Sequence, residues 1–362
     1  MTELLIQENQ EKKQIALVEN GKLIEYYEED NETNRREGNI YIGIVKDIIK
    51  GMQAAFVDIG TEKNSFIHLK DILPKIDETK ETQDENIKIS DIIKPNQKLL
   101  VQIKKDSNQK KGARVSTHIN LPSKYIVLMP NTEIITVSQK IESEEEQKRL
   151  VKLVKENLEQ GNGAIIRTSA QGKEKEIIED IKNIQNKWNK IIETGINPNQ
   201  NNPKLLYKSE DIIDKMLMDM TDKGISIKRG KDIFNTYGIN KQIEKIQNRK
   251  IWLKCGGFIT IDKTEALTAI DINSGKFTGK KNSSKENTIY KVNQEATVEI
   301  AKQLRLRNIS GIIVIDYIDM EEEQDRKNIM NLLEKELKKD RSKTQVMGFT
   351  KLDLLEMTRK KL

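Results

Sequence analysis

From Gly38 to about Thr117 the chain never holds one apolar pattern for more than a few residues. The stretch "GNIYIGIVKDIIKGMQAAFVDIGTEKNSFIHLKDI" is a series of short alternating runs broken by Gly, Asn and Lys, and "KLLVQIKKD" resumes the pattern after a polar gap. Alternation of period two with frequent turn residues predicts short strands folded back on one another. Strands this short hide their edges best by closing into a small barrel. Residues 75–97, "KIDETKETQDENIKISDIIKPNQ", read as a long inter-strand loop.

Aromatic residues are 4% of the chain, so their places are informative. In "QAAFVDIG" the alternation puts Ala55, Val57 and Ile59 on one face and Phe56 with Asp58 on the other. In "NSFIHLK", Ile67 and Leu69 share a face while Phe66 and His68 share the opposite one. Phe56 and Phe66 thus fall outside the barrel core. Exposed aromatics on adjacent strands of an OB-type barrel suit the stacking of single-stranded bases. Lys104, Lys105, Lys110, Lys111 and Arg114 would add phosphate contacts. The competing reading makes one phenylalanine a satellite core residue beneath the polar loop.

The remainder alternates differently. Residues 1–36 read as three strands, "ELLIQE", "KQIALVE" and "KLIEYYEE", with Asn20-Gly21 as a hairpin turn. From Leu121, strand "KYIVLMP", helix "SEEEQKRLVKLVKENLEQ", strand "GNGAIIRTS" and helix "KEKEIIEDIKNIQNKWNKIIE" predict a compact α/β unit. Arg167 and Thr168 end its second strand before small residues and Gly172, a weak signal for an anion pocket. "TGINPNQNNP" at 194–203 reads as a linker. Residues 209–222 look helical, and the final segment 251–362 again alternates strands with helices over 288–307 and 320–340.

Three apolar runs in that segment finish in Ile-Asp, at Asp262, Asp271 and Asp316. Asp262 opens "DKTE" between two strands and reads as a hairpin-turn residue. Asp319 has Glu322 three residues on, the spacing of a capping box. Asp271 and Asp316 are left over. Asn273 shares the face of Asp271, and carboxylates beside an amide form an oxygen-rich site suited to magnesium. By pattern alone each acid could equally accept a lysine or cap the next helix.

Composition excludes several classes. One cysteine, Cys255, allows no disulfide framework and no cysteine-rich zinc site within one chain, and it reads as a small buried residue. No apolar run approaches the roughly 18 residues of a membrane span, and the N-terminus lacks a signal-peptide layout, so a cytoplasmic protein is expected. A formal charge of +6 permits a polyanionic partner without demanding one.

Read together, "AAFVDIG…SFIHLKDI", "KGARVSTHINLPSKYIVLMP", "AIIRTSAQGK", "GGFITIDKTEALTAIDINSGKF", "EIAKQLRLRNISGIIVIDYIDM" and "GFTKLDLLEMTRKKL" resemble the bacterial ribonuclease E/G family, in family order across most of 37–362. The resemblance implies an α/β multidomain chain. Its parts would be an OB-fold RNA-binding β-barrel over 37–118 and an α/β 5′-sensor over 119–195. A reduced RNase H-like lobe would come from 1–36 with 196–250, and a DNase I-like α/β catalytic subdomain from 251–362. Asp271 and Asp316 fall on the family's magnesium-binding catalytic aspartates, and Asn273 on the asparagine that assists them. Phe56, Phe66 and Lys111 fall on its RNA-contacting positions; Arg167 and Thr168 on the pair that grips a 5′-monophosphate, with Val127 packing on the terminal nucleotide. Ser123 stands where many members carry glycine.

The implied activity is magnesium-dependent hydrolysis of single-stranded RNA to 5′-phosphate and 3′-hydroxyl ends, in rRNA processing and mRNA decay. Many members follow "LLEMTRKK" with a Cys-x-x-Cys zinc motif that joins two chains. Here the sequence stops at Leu362, so no zinc is expected and a homodimer would not be zinc-linked. The alternative is a non-catalytic RNA-binding descendant of the family, disfavoured because two carboxylates repel phosphate unless a cation lies between them. A magnesium phosphatase or phosphotransferase is disfavoured by the aromatic barrel face, which small substrates do not need.

Overall fold

The computed structural model describes all residues except 10, 31–35, 73–86, 108–110, 196–201, 221–223, 276–284 and 361–362. Lys110 and most of the expected loop at 75–97, of the 194–203 linker and of the polar stretch after Gly275 therefore lie outside the described residues. The chain divides into two compact units, Met1–Thr33 with Gly224–Leu362, and Asn34–Lys223.

The first unit opens with an antiparallel meander of β1 (Thr2–Glu8), β2 (Lys12–Glu19) and β3 (Lys22–Asp30). Asn20 and Gly21 take φ values of 49° and 76°, the left-handed pair that a tight two-residue hairpin needs.

The chain then forms the second unit. β4 (Ile40–Ile49), β5 (Ala54–Asp58), β6 (Ser65–His68), the short α1 (Ile89–Ile92), β7 (Lys98–Lys105) and β8 (Arg114–Ser116) come first. The strands pair as β4–β5–β6–β8–β7, and β7 pairs back to β4, giving a closed barrel consistent with an OB fold. Ala55, Val57, Ile59 and Ile67 fill it, as the alternation required. Within the stretch expected as loop, the helix α1 and the residue after it place Ile89 and Ile93 in the barrel core. Two apolar residues four apart gain more by burial than polar neighbours lose.

Next come β9 (Leu121–Pro122), β10 (Ile126–Pro130), β11 (Ile135–Val137), α2 (Glu144–Asn157), β12 (Asn162–Ile166) and α3 (Lys175–Gly195). The sheet order is β11–β12–β10–β9. Leu150 and Val154 of α2 and Ile177, Ile181, Ile184 and Trp188 of α3 pack with Ile126, Leu128, Ala164 and Ile166. These helical residues recur every three or four positions, an apolar stripe that needs one covered face. β13 (Lys204–Tyr207) joins the barrel on β4, and α4 (Ile212–Met220) follows.

The first unit resumes with β14 (Ser226–Arg229), which runs parallel to β1, then α5 (Ile233–Thr236) and α6 (Asn240–Ile246). Its larger sheet is built from β15 (Lys250–Trp252), β16 (Phe258–Lys263), β17 (Leu267–Asn273), β18 (Gly311–Asp316), β19 (Thr344–Phe349) and β20 (Leu354–Arg359). Two helices interrupt it, α7 (Lys285–Leu306) before β18 and α8 (Glu323–Leu337) after it. The order is β15–β16–β17–β18–β20–β19, and only β17 and β18 run parallel, which is what a helical crossover through α7 permits. One sheet face, with Ile259, Ile270, Ile272, Ile313, Ile315 and Leu355, packs on Val292, Ala296 and Ile300 of α7 and Ile329 and Leu333 of α8. Buried Glu25 of β3 receives Arg305 of α7 and Arg341, tying the meander to this sheet. Among the described residues no helix is long and apolar enough to cross a membrane.

Candidate active site

β17 and β18 are the parallel pair at the middle of the larger sheet, and their register sets Asp271 directly opposite Asp316. Adjacent strands lie about 4.8 Å apart, so the two carboxylates leave the same face side by side. The face is the one opposite α7 and α8, since Ile270, Ile272, Ile313 and Ile315 point the other way into the core. Asn273, two residues on, donates from Nδ2 to Asp271 Oδ2 at 2.5 Å. That bond orients Asp271. Burial, then the charge of Asp271, then that of Asp319 push the Asp316 carboxyl above the usual carboxylate range. Like charges this close favour a proton or a cation between them. Among the described residues no group of three or more His, Cys, Asp or Glu side chains converges as a metal cage. Two carboxylates with room for waters and a phosphate oxygen are nonetheless the donor set magnesium prefers.

Backbone packing holds the two strand ends in place. Asn293 of α7 is fully buried and grips the backbone just past Asp316, donating to the Ile318 carbonyl at 2.8 Å and accepting from its amide at 3.2 Å. Thr297, one turn on, meets the Tyr317 hydroxyl at 3.0 Å. After β17, Gly275 has φ +60° and so little room that a Cβ would lie 2.5 Å from the Gly256 carbonyl oxygen. Only glycine fits where these two backbones meet beside Asn273.

The other two strand-end acids sit differently from the sequence expectation. Asp262 is not in the turn but within β16, opposite Ala269, and Arg249 clasps both its oxygens at 2.5 and 2.6 Å. The strand runs one residue further than the apolar pattern because the turn itself is closed by Thr264 and Leu267. Asp319 does not cap a helix, since α8 starts at Glu323 behind Glu322 and has no side-chain cap. Its exposed carboxylate instead adds to the field on Asp316.

In the barrel, Phe56 and Phe66 are direct cross-strand partners, half-exposed, with ring centroids 6.2 Å apart in an edge-to-face arrangement. Neither is a satellite core residue. Exposed Lys111 precedes Gly112, whose missing side chain lets the backbone approach the Asn64 carbonyl oxygen, and the next residue accepts the Phe66 amide at 2.7 Å. Lys111 is thereby drawn to the strand that carries Phe66. Arg114 forks onto Asp71 at 2.9–3.0 Å while its side chain stays exposed. Lys104 bonds to Gln102 at 2.7 Å.

In the α/β part, the Arg167 amide bonds to the Tyr125 carbonyl at 2.9 Å, and its guanidinium donates to the Ser123 carbonyl at 2.7 Å. Thr168 is exposed and bonds to Ser138 at 3.0 Å. Half-buried Val127 lies on β10 beside Ile165 of β12, the strand that leads into Arg167. Asp180 of α3 accepts the Ser123 hydroxyl at 2.5 Å and the Tyr125 amide at 2.9 Å, which fixes the neighbouring loop. Glu146 of α2 accepts the Gly172 amide at 2.8 Å and holds Arg149 at 2.7 Å. Arg149 and the Gly172 amide together bring the Glu146 carboxyl down to about 2.

The pattern of the Ribonuclease E/G family matches residues 120–228 and 223–362. The chain is 38% identical over 393 residues to Ribonuclease G of Salmonella typhimurium, covering 99% of this chain and 80% of that protein. It is equally 38% identical to Ribonuclease G of Haemophilus influenzae, over 99% of this chain and 79% of the relative. Ribonuclease E of Nostoc sp. is 34% identical over 392 residues, with 96% of this chain matching 56% of that longer protein. The chain belongs to the ribonuclease E/G family.

For a ribonuclease E/G member, the nine site residues expected from sequence fall in three places. Asp271, Asn273 and Asp316 meet at the strand ends of the first unit. Phe56, Phe66 and Lys111 cluster on the barrel, and Arg167, Thr168 and Val127 on the β10–β12 edge. Sequence reasoning passed over Asn293, Asp180 and Glu146. Asn293 carried one signal, a polar residue on the apolar stripe of α7. It also passed over Trp252 and Phe258, aromatics on two runs joined by Gly256-Gly257, which pair across β15 and β16.

Proposed function

We propose that the protein is a magnesium-dependent endoribonuclease acting on single-stranded RNA in rRNA processing and mRNA decay, in the cytoplasm. The observation that carries this reading is the in-register pair Asp271 and Asp316, whose mutual repulsion a divalent cation would relieve. The two carboxylates would hold the ion, with Asn273 keeping Asp271 turned toward it. Magnesium bound there supplies charge stabilisation for the phosphodiester and lowers the pKa of an attacking water, giving 5′-phosphate and 3′-hydroxyl ends.

Phe56 and Phe66 would stack bases while Lys111 meets phosphate. Arg167 and Thr168 would grip a 5′-monophosphate with Val127 against the terminal base, favouring 5′-monophosphorylated substrates. By family resemblance, residues 119–195 would be the 5′-sensor and 251–362 a DNase I-like catalytic subdomain. A reduced RNase H-like lobe would come from 1–36 and 196–250.

The test is cleavage of a short unstructured RNA carrying a 5′-monophosphate or a 5′-hydroxyl, with and without magnesium, by wild type, Asp271→Asn and Asp316→Asn. Magnesium-dependent cutting lost in both variants supports the reading. Binding without cleavage by pure wild type at millimolar magnesium sinks it.

A further inference from the structure

Trp252 lies on β15, the edge strand of the catalytic sheet, and is 62% exposed. A tryptophan this exposed leaves most of its apolar area in water and marks a surface that meets something. It is not alone. Its cross-strand partner is Phe258, with ring centroids 5.3 Å apart at 63°. The Lys250 ammonium sits 4.1 Å from the Trp252 centroid and 3.5 Å from that of Phe258. Among the described residues Lys250 has no carboxylate partner. Ile251, between Lys250 and Trp252, packs into the core, so alternation turns both neighbours to the open face.

Register ties this cluster to the acids. Trp252, Phe258 and Asn273 form one row across β15, β16 and β17, and Lys250, Thr260, Asp271 and Asp316 form the next. Trp252 therefore stands two strand spacings, about 10 Å, from Asn273 on the face that carries both carboxylates. We propose that Trp252, Phe258 and Lys250 form a nucleobase-stacking subsite for a nucleotide beside the scissile phosphate of single-stranded RNA. The inference rests on the endoribonuclease reading of Asp271 and Asp316 and adds a second stacking platform, on the catalytic sheet itself.

Charge supports this occupant. The lysine lying against both rings attracts the anionic backbone that Asp271 and Asp316 repel, and the π-faces accept any base. An aromatic pair with a nearby lysine recurs on the barrel, where Phe56 and Phe66 stand edge to face with Lys111 at the same strand. Stacking requires an unstacked base, so the subsite selects single-stranded RNA by shape. Trp252 is a positioning residue: it acts on where the phosphate sits, and truncation raises KM more than it lowers kcat.

The experiment uses the full chain with RNAs in which one nucleotide at a time near the cleavage site is made abasic. In wild type, one abasic position should raise KM roughly tenfold. Trp252→Ala should raise KM on intact RNA by a similar factor and be indifferent to that abasic position, while Trp252→Phe restores most of the affinity. A structural role would instead penalise intact and abasic RNA alike, which overturns the proposal. So would unchanged KM.

Acrylamide quenching gives an answer independent of cleavage. Trp188, the other tryptophan, is buried, so quenching reports Trp252. RNA should protect Trp252 in the slow-cleaving Asp271→Asn variant, and an absence of protection overturns the subsite. If wild type binds RNA but never cuts it, the endoribonuclease reading fails while this measurement still decides the platform.

Discussion

Two charged places in this molecule are built on opposite plans. Around Arg167 the groups are already satisfied: the guanidinium rests on the Ser123 carbonyl, the Ser123 hydroxyl on Asp180, and Thr168 on Ser138. Around Asp271 and Asp316 like charges stand side by side, and burial first, then the charges of Asp271 and Asp319, push the Asp316 carboxyl up. A site for an anion can be prearranged from donors that fold and bind with the same atoms. A site for a cation cannot complete itself from carboxylates alone, and unrelieved repulsion is the mark such a site would carry.

The sharpest way to break this contrast is to neutralise one acid. Asp271→Asn or Asp316→Asn should lower the cleavage rate by roughly 10²- to 10³-fold, the scale of losing one preorganised charge-stabilising group. The same substitutions should raise the melting temperature in metal-free buffer, because repulsion is removed. A fall in melting temperature would mean that the acids hold the fold together instead.

Arg167→Ala probes the other plan. It should erase the advantage of 5′-monophosphorylated over 5′-hydroxyl RNA, a factor of roughly ten for a charge-assisted contact, and leave the slower rate intact. Retained preference in a competition assay would remove Arg167 from the anion site.

Asn293→Ala tests whether packing from α7 positions the acids. It leaves the half-buried Ile318 carbonyl and amide without their partner, at about 1–3 kcal/mol by chemical denaturation. The loss of activity should exceed the loss of folded protein, since Ile318 lies two residues past Asp316. The smallest effect concerns Glu146. Its folded carboxyl titrates at about 2 against an ordinary 4.5, so its contribution is complete above pH 4.5 and fades as pH falls toward 2. The protection factor of the Gly172 amide, followed by NMR, should fall across that window. An unchanged amide would detach the loop from Glu146.

Much of this was legible without coordinates. Period-two patterns put Ala55, Val57, Ile59 and Ile67 inside and Phe56 and Phe66 outside, and Asn20-Gly21 announced its hairpin. Local sequence was a poor guide to acids at strand ends. Asp262 looked like a turn residue and Asp319 like a cap, yet one pairs with Arg249 and the charge of the other acts on Asp316. Their fates depend on residues far from each Ile-Asp dipeptide.

Sequence by itself determined which residues could share a face, because strand and helix periods are local properties of the backbone. Tertiary structure alone decided that Asp271 meets Asp316, since the parallel register forms only after α7 crosses over the sheet. It alone set Trp252 against Phe258 in the row of Asn273. Pairing between strands is fixed by which apolar faces must be buried together, and a single residue of slip would turn every one of these side chains to the other face.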